Sequence, residues 1–182
     1  MVFRLKVTLN GIKGFYRIYH VHGATTLYTL HKQLRADMEF PQDQLIMFKA
    51  LAEDGSVTGR YGLFDLGSGT VDAVSLEKAV KAGAVSFVYF YDVTNRKSVN
   101  ISVEEDSTLP KVNPDFPVLV ETKGPNPIEF ENGYVAFEDL PEKQRHLPGE
   151  EPEDLEDDED FEDEEEEEEE DEDGKEIFDE NE

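Results

Sequence analysis

Three of the four histidines have the residue type and spacing that come closest to a metal site. His20 and His22 are two residues apart, so an extended strand would place them on the same face. Together with His31 they would offer the imidazole ligands that transition metals accept. The interpretation that the sequence favours is an exposed strand edge beside an exposed helix face. We therefore predict no metal and no cofactor, with a metal-dependent enzyme kept as a further alternative.

A glycine-rich stretch at residues 64–72, FDLGSGTVD, is the second candidate. It resembles the second phosphate-binding turn of actin and heat-shock chaperone ATPases, in which glycine amides cradle phosphate. That fold needs two lobes, a considerably longer chain and a companion phosphate motif near the N-terminus, which this sequence lacks. A Walker lysine is also missing. We expect an ordinary glycine-rich connector here.

Basic residues concentrate at the start of the chain, where six Lys or Arg residues precede the first acidic residue, Asp37. Three of them, Arg4, Lys6 and Arg17, could form a stripe on the outer face of the first hairpin, with Tyr16 and Tyr19 nearby. Such a stripe would contact phosphates or bases. The sequence favours the simpler interpretation, the solvated polar face of a half-buried sheet.

The acidic residues lie at the other end of a 182-residue chain whose formal charge is −27. Residues 150–182 contain 25 acidic residues and one basic residue, which leaves only −3 on residues 1–149. Like-charged runs repel and stay extended, so we predict a disordered acidic tail over residues 150–182. Three apolar residues interrupt the acid as candidate anchors for a basic protein partner: Phe161, Ile177 and Phe178.

Composition excludes several classes of protein. Since the chain has no cysteine, it has neither disulfides nor thiolate nucleophiles. The N-terminus alternates apolar and basic residues and has no unbroken apolar stretch of a signal peptide. No apolar run approaches the length of a membrane helix. We expect a cytoplasmic protein, monomeric and without membrane contact.

Hydrophobic periodicity predicts the elements that must position these residues. Alternation at Val2–Leu9 predicts a half-buried strand, and Phe15–Val21 should pair back on it as a hairpin. Thr25 or Thr26 should cap a helix that Pro41 stops. The remaining predicted elements are strands at Leu45–Leu51, Val57–Phe64, Val85–Tyr91, Ser98–Glu105 and Phe116–Thr122, and a helix at Ser75–Ala82.

This order predicts a single α+β domain over residues 1–140, with a mainly antiparallel sheet and helices on one face. Its opening hairpin, helix and strand resemble the start of a β-grasp unit. Residues 141–149 contain Pro141 and Pro148 and are predicted to be a linker into the tail.

Residues 1–135 also resemble the Ri-plasmid open-reading-frame-three family, also called the transposon-passenger family. Five segments carry the resemblance: Phe3–Lys13, Phe15–Ile18, Thr26–His31, Leu76–Val80 and Phe87–Asp92. Two segments depart from it. After Tyr91 the family continues Asp-Phe-Gly-Asp-x-Trp, where this chain has Asp92–Lys97, and the family's Cys-Pro-Pro-Glu-Asp region corresponds to Asn126–Phe130. The resemblance implies an α+β fold and a loose link with mobile elements, and it implies no established activity.

The sequence therefore favours a non-enzymatic protein-interaction or accessory module. The alternative is a nucleic-acid-binding domain whose basic hairpin is masked by the acidic tail. Neither reading identifies the partner.

Overall fold

Seven strands and three α-helices build the part of the chain that the structure, a computed structural model, describes, residues 1–145. The elements are β1 (Val2–Leu9), β2 (Ile12–His22), α1 (Leu27–Asp37), β3 (Met47–Leu51), β4 (Val57–Gly62), α2 (Leu76–Lys81), β5 (Ser86–Asp92), β6 (Lys97–Glu105), β7 (Val118–Lys123) and α3 (Pro127–Glu131). The strands form one sheet in the order β4-β3-β5-β6-β1-β2-β7, and each neighbouring pair is antiparallel. The predicted α+β fold with a mainly antiparallel sheet is confirmed.

The opening hairpin follows the alternation in the sequence. Phe3, Leu5 and Val7 of β1 are fully buried, whereas Lys6 between them is exposed. Asn10 and Gly11 form the connection to β2, and Gly11 takes the positive φ of +72° that the turn requires. The strand β1 lies inside the sheet because β2 pairs with one of its edges and β6 pairs with the other. Further along the sheet, β3 pairs with both β4 and β5.

The helix α1 begins and packs as its sequence predicts. The hydroxyl of Thr26 accepts a hydrogen bond from the amide of Thr29, which caps the first turn. The apolar stripe along the helix is fully buried against the sheet: Leu27, Leu30, Leu34 and Met38. The helix ends at Asp37, before Pro41, because Glu39 adopts a left-handed φ of +54°.

Two helix starts are tied together beside this stripe. The amide of Leu27 donates to the carbonyl of Val74, and the amide of Leu76 donates to the carbonyl of Thr25, both at 2.9 Å. Ser75 caps α2 through its hydroxyl, as Thr26 caps α1. Both helices therefore start from one fixed point and cover the same face of the sheet.

Within residues 1–145 no α-helix covers the opposite face of the sheet, and we call this face the open face. Strand register and the alternation of side chains define it by the outward residues of β1, β3, β4, β5 and β6: Arg4, Lys6, Thr8, Met47, Lys49, Leu51, Arg60, Ser86, Val88, Phe90, Ser98, Asn100, Ser102 and Glu104. These side chains are half-buried or exposed. No helix within residues 1–145 combines the length and the apolarity needed to cross a bilayer.

The chain after β7 folds back on both faces. The sequence analysis predicts no helix at α3. This helix packs on the core side, where the ring of Phe130 contacts the ring of Phe15 edge to face. Residues 136–139 then return to the outward side of β2, where Asp139 accepts hydrogen bonds from the amides of Lys13 and Gly14. This corner of the sheet is thereby covered.

Gly14 is needed at this corner because Ala136 lies directly on it. A Cβ added to Gly14 would stand 2.1 Å from the Cβ of Ala136. We predict that Gly14→Ala lowers the free energy of unfolding by about 1–3 kcal/mol, measured by urea titration. The double variant Gly14→Ala with Ala136→Gly should recover part of the loss, and equal instability of the single and double variants would contradict this account.

Candidate functional site

An exposed apolar pocket lies where β3 begins and β4 ends. It has a volume of about 120 Å³ and is lined by Leu45, Ile46, Met47, Gly62, Leu63, Phe64, Leu66 and Val93. Phe64 is 73 % exposed, and Leu45 and Leu66 are each more than half exposed. Large apolar side chains gathered around one concavity are typical of protein contact sites. We call this site the Phe64 pocket.

The pocket opens on the same side of the sheet as the open face. Gly62 and Met47 are cross-strand partners with outward positions. Leu66 lies over Gly62, with its Cδ1 only 3.2 Å from where a Cβ on Gly62 would stand. The loop therefore folds back onto the outward side of β4, and it exposes Phe64 because the core positions next to it, Ile46 and Tyr61, are already filled and buried.

In the glycine-rich loop, the carboxylate of Asp65 takes the place that a bound phosphate would have. The amides of Gly67 and Gly69 donate to Oδ1 of Asp65 at 2.8 and 3.1 Å. These hydrogen bonds hold the pKa of Asp65 below its usual range. The amides that would cradle phosphate in the ATPase turn are thus already occupied, as the connector interpretation expects.

The predicted basic stripe is divided between the two faces of the sheet. Arg4 and Lys6 lie on the open face, and Tyr16 of β2 points the same way, with the ammonium of Lys6 5.3 Å from its ring centroid. Arg17 and Tyr19 lie on the core side and are buried. The predicted place of Arg17 on the outer face is wrong because Arg17 pairs with Val7, a core position. Tyr19, expected near the stripe, pairs with Leu5, which is also a core position.

Two of the three outward residues, Arg4 and Tyr16, are already engaged by acids. Arg4 pairs with Glu104 at 3.3 Å. The hydroxyl of Tyr16 donates to Glu121, and this bond is the main cause that raises the pKa of Tyr16. Whether Arg4, Lys6 and Tyr16 bind a ligand stays a prediction.

Inside the core, Arg17 connects three elements. Its guanidinium donates to the carbonyl of Lys123 at 2.7 Å, at the end of β7, and to Oδ1 of Asn126 at 3.1 Å, just before α3. It also lies 4.6 Å from the ring centroid of Phe15. Burial lowers the pKa of Arg17, although Arg remains charged in proteins. Its role is structural.

Among the described residues, His20, His22 and His31 do not form one site. His20 and His22 lie on the outward side of β2, whereas His31 is buried on the core side of α1. The predicted exposed position of His31 is wrong because it follows Leu27 by four residues and so shares the buried stripe. Its Nδ1 shares a 2.7 Å hydrogen bond with the hydroxyl of Tyr89. Residues 1–145 contain no group of three His, Cys, Asp or Glu side chains placed to hold a metal.

A second concave region lies around α3. Glu131 accepts hydrogen bonds from the hydroxyl of Tyr91 at 3.2 Å and from the ammonium of Lys97 at 2.8 Å. These three residues separate two clefts of about 270 and 210 Å³. The two segments in which the chain departs from the family resemblance, Asp92–Lys97 and Asn126–Phe130, therefore lie at one place. Here the carboxylate of Glu131 is paired with Lys97 and Tyr91, and the carboxylate of Glu39 accepts a hydrogen bond from Asn126.

Sequence reasoning found the loop of the Phe64 pocket but missed the pocket itself. The sequence predicts strand or connector positions for Leu45, Leu63, Phe64 and Leu66. The available signal was three large apolar side chains within four residues of a glycine-rich loop. The candidates Phe161, Ile177 and Phe178 lie outside the described residues.

Comparisons with known proteins support the resemblance read from the sequence. A family model described as plasmid pRiA4b ORF-3-like protein matches residues 1–182. The uncharacterized protein y4hQ of Sinorhizobium fredii (strain NBRC 101917 / NGR234) is 33 % identical over 157 residues, which cover 80 % of this chain and 77 % of that protein. The crystal structure of MM3350, a protein of unknown function from Methanosarcina mazei Go1, matches with a TM-score of 0.52 and 19 % identity over 69 % of this chain and 70 % of that one. That structure shows a shared fold.

The role of Arg17 predicts a large effect on stability. Arg17→Met should lower the free energy of unfolding by roughly 2–4 kcal/mol, because it leaves the carbonyl of Lys123 and the amide oxygen of Asn126 without their donor. Urea titration measures the change. Arg4→Met, which breaks a partly exposed ion pair, is the control and should cost less than about 1 kcal/mol. Equal effects of the two changes would contradict the structural role.

The burial of His31 predicts a dependence of stability on pH. Burial, with Arg35 and Lys32 nearby, lowers the pKa of His31 from 6.5 to about 4. The unfolded chain takes up this proton below pH 6.5 while the folded chain does not, so the contribution is complete above pH 6.5 and is lost towards pH 4. The loss is of the order of 2–3 kcal/mol.

Urea titrations between pH 7 and 4.5 compare wild type with His31→Gln, whose amide can still meet the hydroxyl of Tyr89. The variant should have the flatter profile of stability against pH. His20→Gln controls for the removal of an imidazole. Parallel profiles for wild type and His31→Gln would contradict the prediction.

Proposed function

We propose that this chain, which belongs to the plasmid pRiA4b ORF-3-like family, is a non-enzymatic protein-interaction module whose contact site is the Phe64 pocket. The observation that carries the proposal is the 73 % exposure of Phe64 beside a concavity. A partner polypeptide would insert an apolar side chain between Phe64 and Leu66.

The chemistry of the lining supports binding over catalysis. All eight lining residues are apolar or glycine, so they supply contact area and no acid, base or nucleophile. Burying an aromatic side chain of this size contributes roughly 1.5–3 kcal/mol. One such anchor is typical of the hot spot of an interface, surrounded by contacts that contribute little.

The position of Phe64 also favours a preformed site. Asp65 holds the following turn through two backbone amides, and the amide of Val71 donates to the carbonyl of Gly62 at 3.0 Å. The loop is therefore fastened on both sides of the exposed residues. A partner would not have to order it on binding, which lowers the entropic cost of association.

The other functional readings stay as proposals. The acidic segment could recruit a basic partner through Phe161, Ile177 and Phe178. The nucleic-acid alternative now rests on Arg4, Lys6 and Tyr16, since Arg17 and Tyr19 are buried. The metal-dependent alternative loses His31, which faces the core. A cytoplasmic location, a monomeric state and a link with mobile elements likewise stay predictions.

Affinity capture with the full chain tests the proposed function. Phe64→Ser should lose proteins that wild type retains, because it removes the exposed aromatic anchor without changing the core. Phe116→Ser is the matched control, since Phe116 is also largely exposed but does not line the pocket. Quantitative mass spectrometry compares the three baits.

The proposal requires at least one protein that binds wild type and Phe116→Ser and is depleted on Phe64→Ser. Sedimentation of the purified proteins shows whether that protein is a second copy of this chain. Identical sets of retained proteins on all three baits would reject the Phe64 pocket as the contact site.

A further inference from the structure

We infer that the partner segment held by the Phe64 pocket carries acidic residues next to its apolar anchor. The inference rests on the proposed function and specifies the class of partner. Its basis is a pair of cations, Lys49 and Arg60, on the same face of the sheet as the pocket.

Strand register places the two cations directly beside each other and beside the pocket. Lys49 of β3 and Arg60 of β4 are cross-strand partners. Each lies two residues from a lining residue on its own strand, Lys49 from Met47 and Arg60 from Gly62. Two residues along a strand span about 7 Å and point to the same face. A segment anchored at Phe64 and extended along β3 and β4 would therefore pass over both cations.

Neither cation is neutralised within residues 1–145. The four ion pairs found there join other residues. The next outward positions across the sheet from Lys49 are Val88 and then Asn100, both uncharged. The nearest acid in the loop is Asp65, whose Oδ1 is engaged by the amides of Gly67 and Gly69. Two adjacent like charges favour an anionic ligand over this pair.

The lining of the pocket distinguishes an acidic polypeptide from a nucleic acid. A nucleobase inserted there would bring hydrogen-bonding edges against a wholly apolar lining, which leaves them unpaired at a cost in free energy. An aliphatic or aromatic side chain has no such groups. The other outward aromatic beside basic residues, Tyr16, already donates its hydroxyl to Glu121 and has the ammonium of Lys6 5.3 Å from its ring centroid.

The test uses the full chain and three fluorescent probes. The first is a short synthetic peptide with one Phe flanked by Glu and Asp. The second has the same sequence with each acid replaced by Gln or Asn, and the third is a single-stranded oligonucleotide. Fluorescence anisotropy gives the dissociation constants at low and high salt. The protein variants are Lys49→Glu with Arg60→Glu, the charge-matched control Lys111→Glu with Lys143→Glu, and Phe64→Ser.

The acidic peptide should bind more tightly than its amide counterpart, and salt should weaken it. Lys49→Glu with Arg60→Glu should weaken it at least tenfold, whereas the control pair of exposed lysines should leave it within about twofold. Phe64→Ser should weaken both peptides.

Four results would overturn the inference. Equal affinity for both peptides would show that the partner needs no acidic residues. Unchanged affinity for the acidic peptide in Lys49→Glu with Arg60→Glu would show the same. In either case, weaker peptide binding by Phe64→Ser would still uphold the proposed function. Binding of neither peptide would also overturn the inference. The proposed function would then still be judged independently, by the capture experiment. Tighter binding of the oligonucleotide, lost in Lys49→Glu with Arg60→Glu, would assign the cations to nucleic acid instead.

Discussion

The buried guanidinium of Arg17 is the interaction on which the C-terminal third of the described structure depends. A buried charge is costly unless its donors are paired, and Arg17 finds acceptors at the end of β7 and just before α3. Asn126 in turn donates to Glu39, beyond the end of α1. A helix of only five residues with no side-chain cap cannot persist alone. Arg17 thus fixes where α3 begins and, with it, where Glu131 meets Tyr91 and Lys97.

The rest of the architecture follows from how the two faces of one sheet are used. The caps Thr26 and Ser75 start α1 and α2 side by side, and both helices bury their apolar residues on the core side. The open face carries polar, charged and apolar side chains, and residues 136–139 return over one corner of the sheet. At the opposite end of the sheet the core positions are filled, so the loop after β4 places Phe64 and Leu66 outside. The Phe64 pocket and the cation pair of Lys49 and Arg60 therefore both lie on the face of the sheet that α1 and α2 do not cover.

Local signals predicted the elements well where one periodicity dominated. The alternation of β1, the cap at Thr26 and the stripe from Leu27 to Met38 all appear in the structure. Two wrong placements share one cause. The residue type predicts Arg17 on the outer face although the alternation of β2 places it inside, and it predicts His31 in solvent although this residue follows Leu27 by one helical turn. The helix α3 was missed because its prolines indicate a loop, and only its contacts with Phe15 and Arg17 hold it in place.

By itself the sequence determined the α+β class, most strand positions, the family and the separation of charge between residues 1–149 and 150–182, because each of these depends on local periodicity or on composition. The tertiary structure alone decided which outward residues meet. The pocket joins residues 45–47, 62–66 and 93, and the cation pair joins residues 49 and 60. Such groups form only when separate strands adopt one register, and register is set by packing across the whole sheet. The tertiary structure therefore separates His31 from His20 and His22, and it brings an apolar pocket together with two cations.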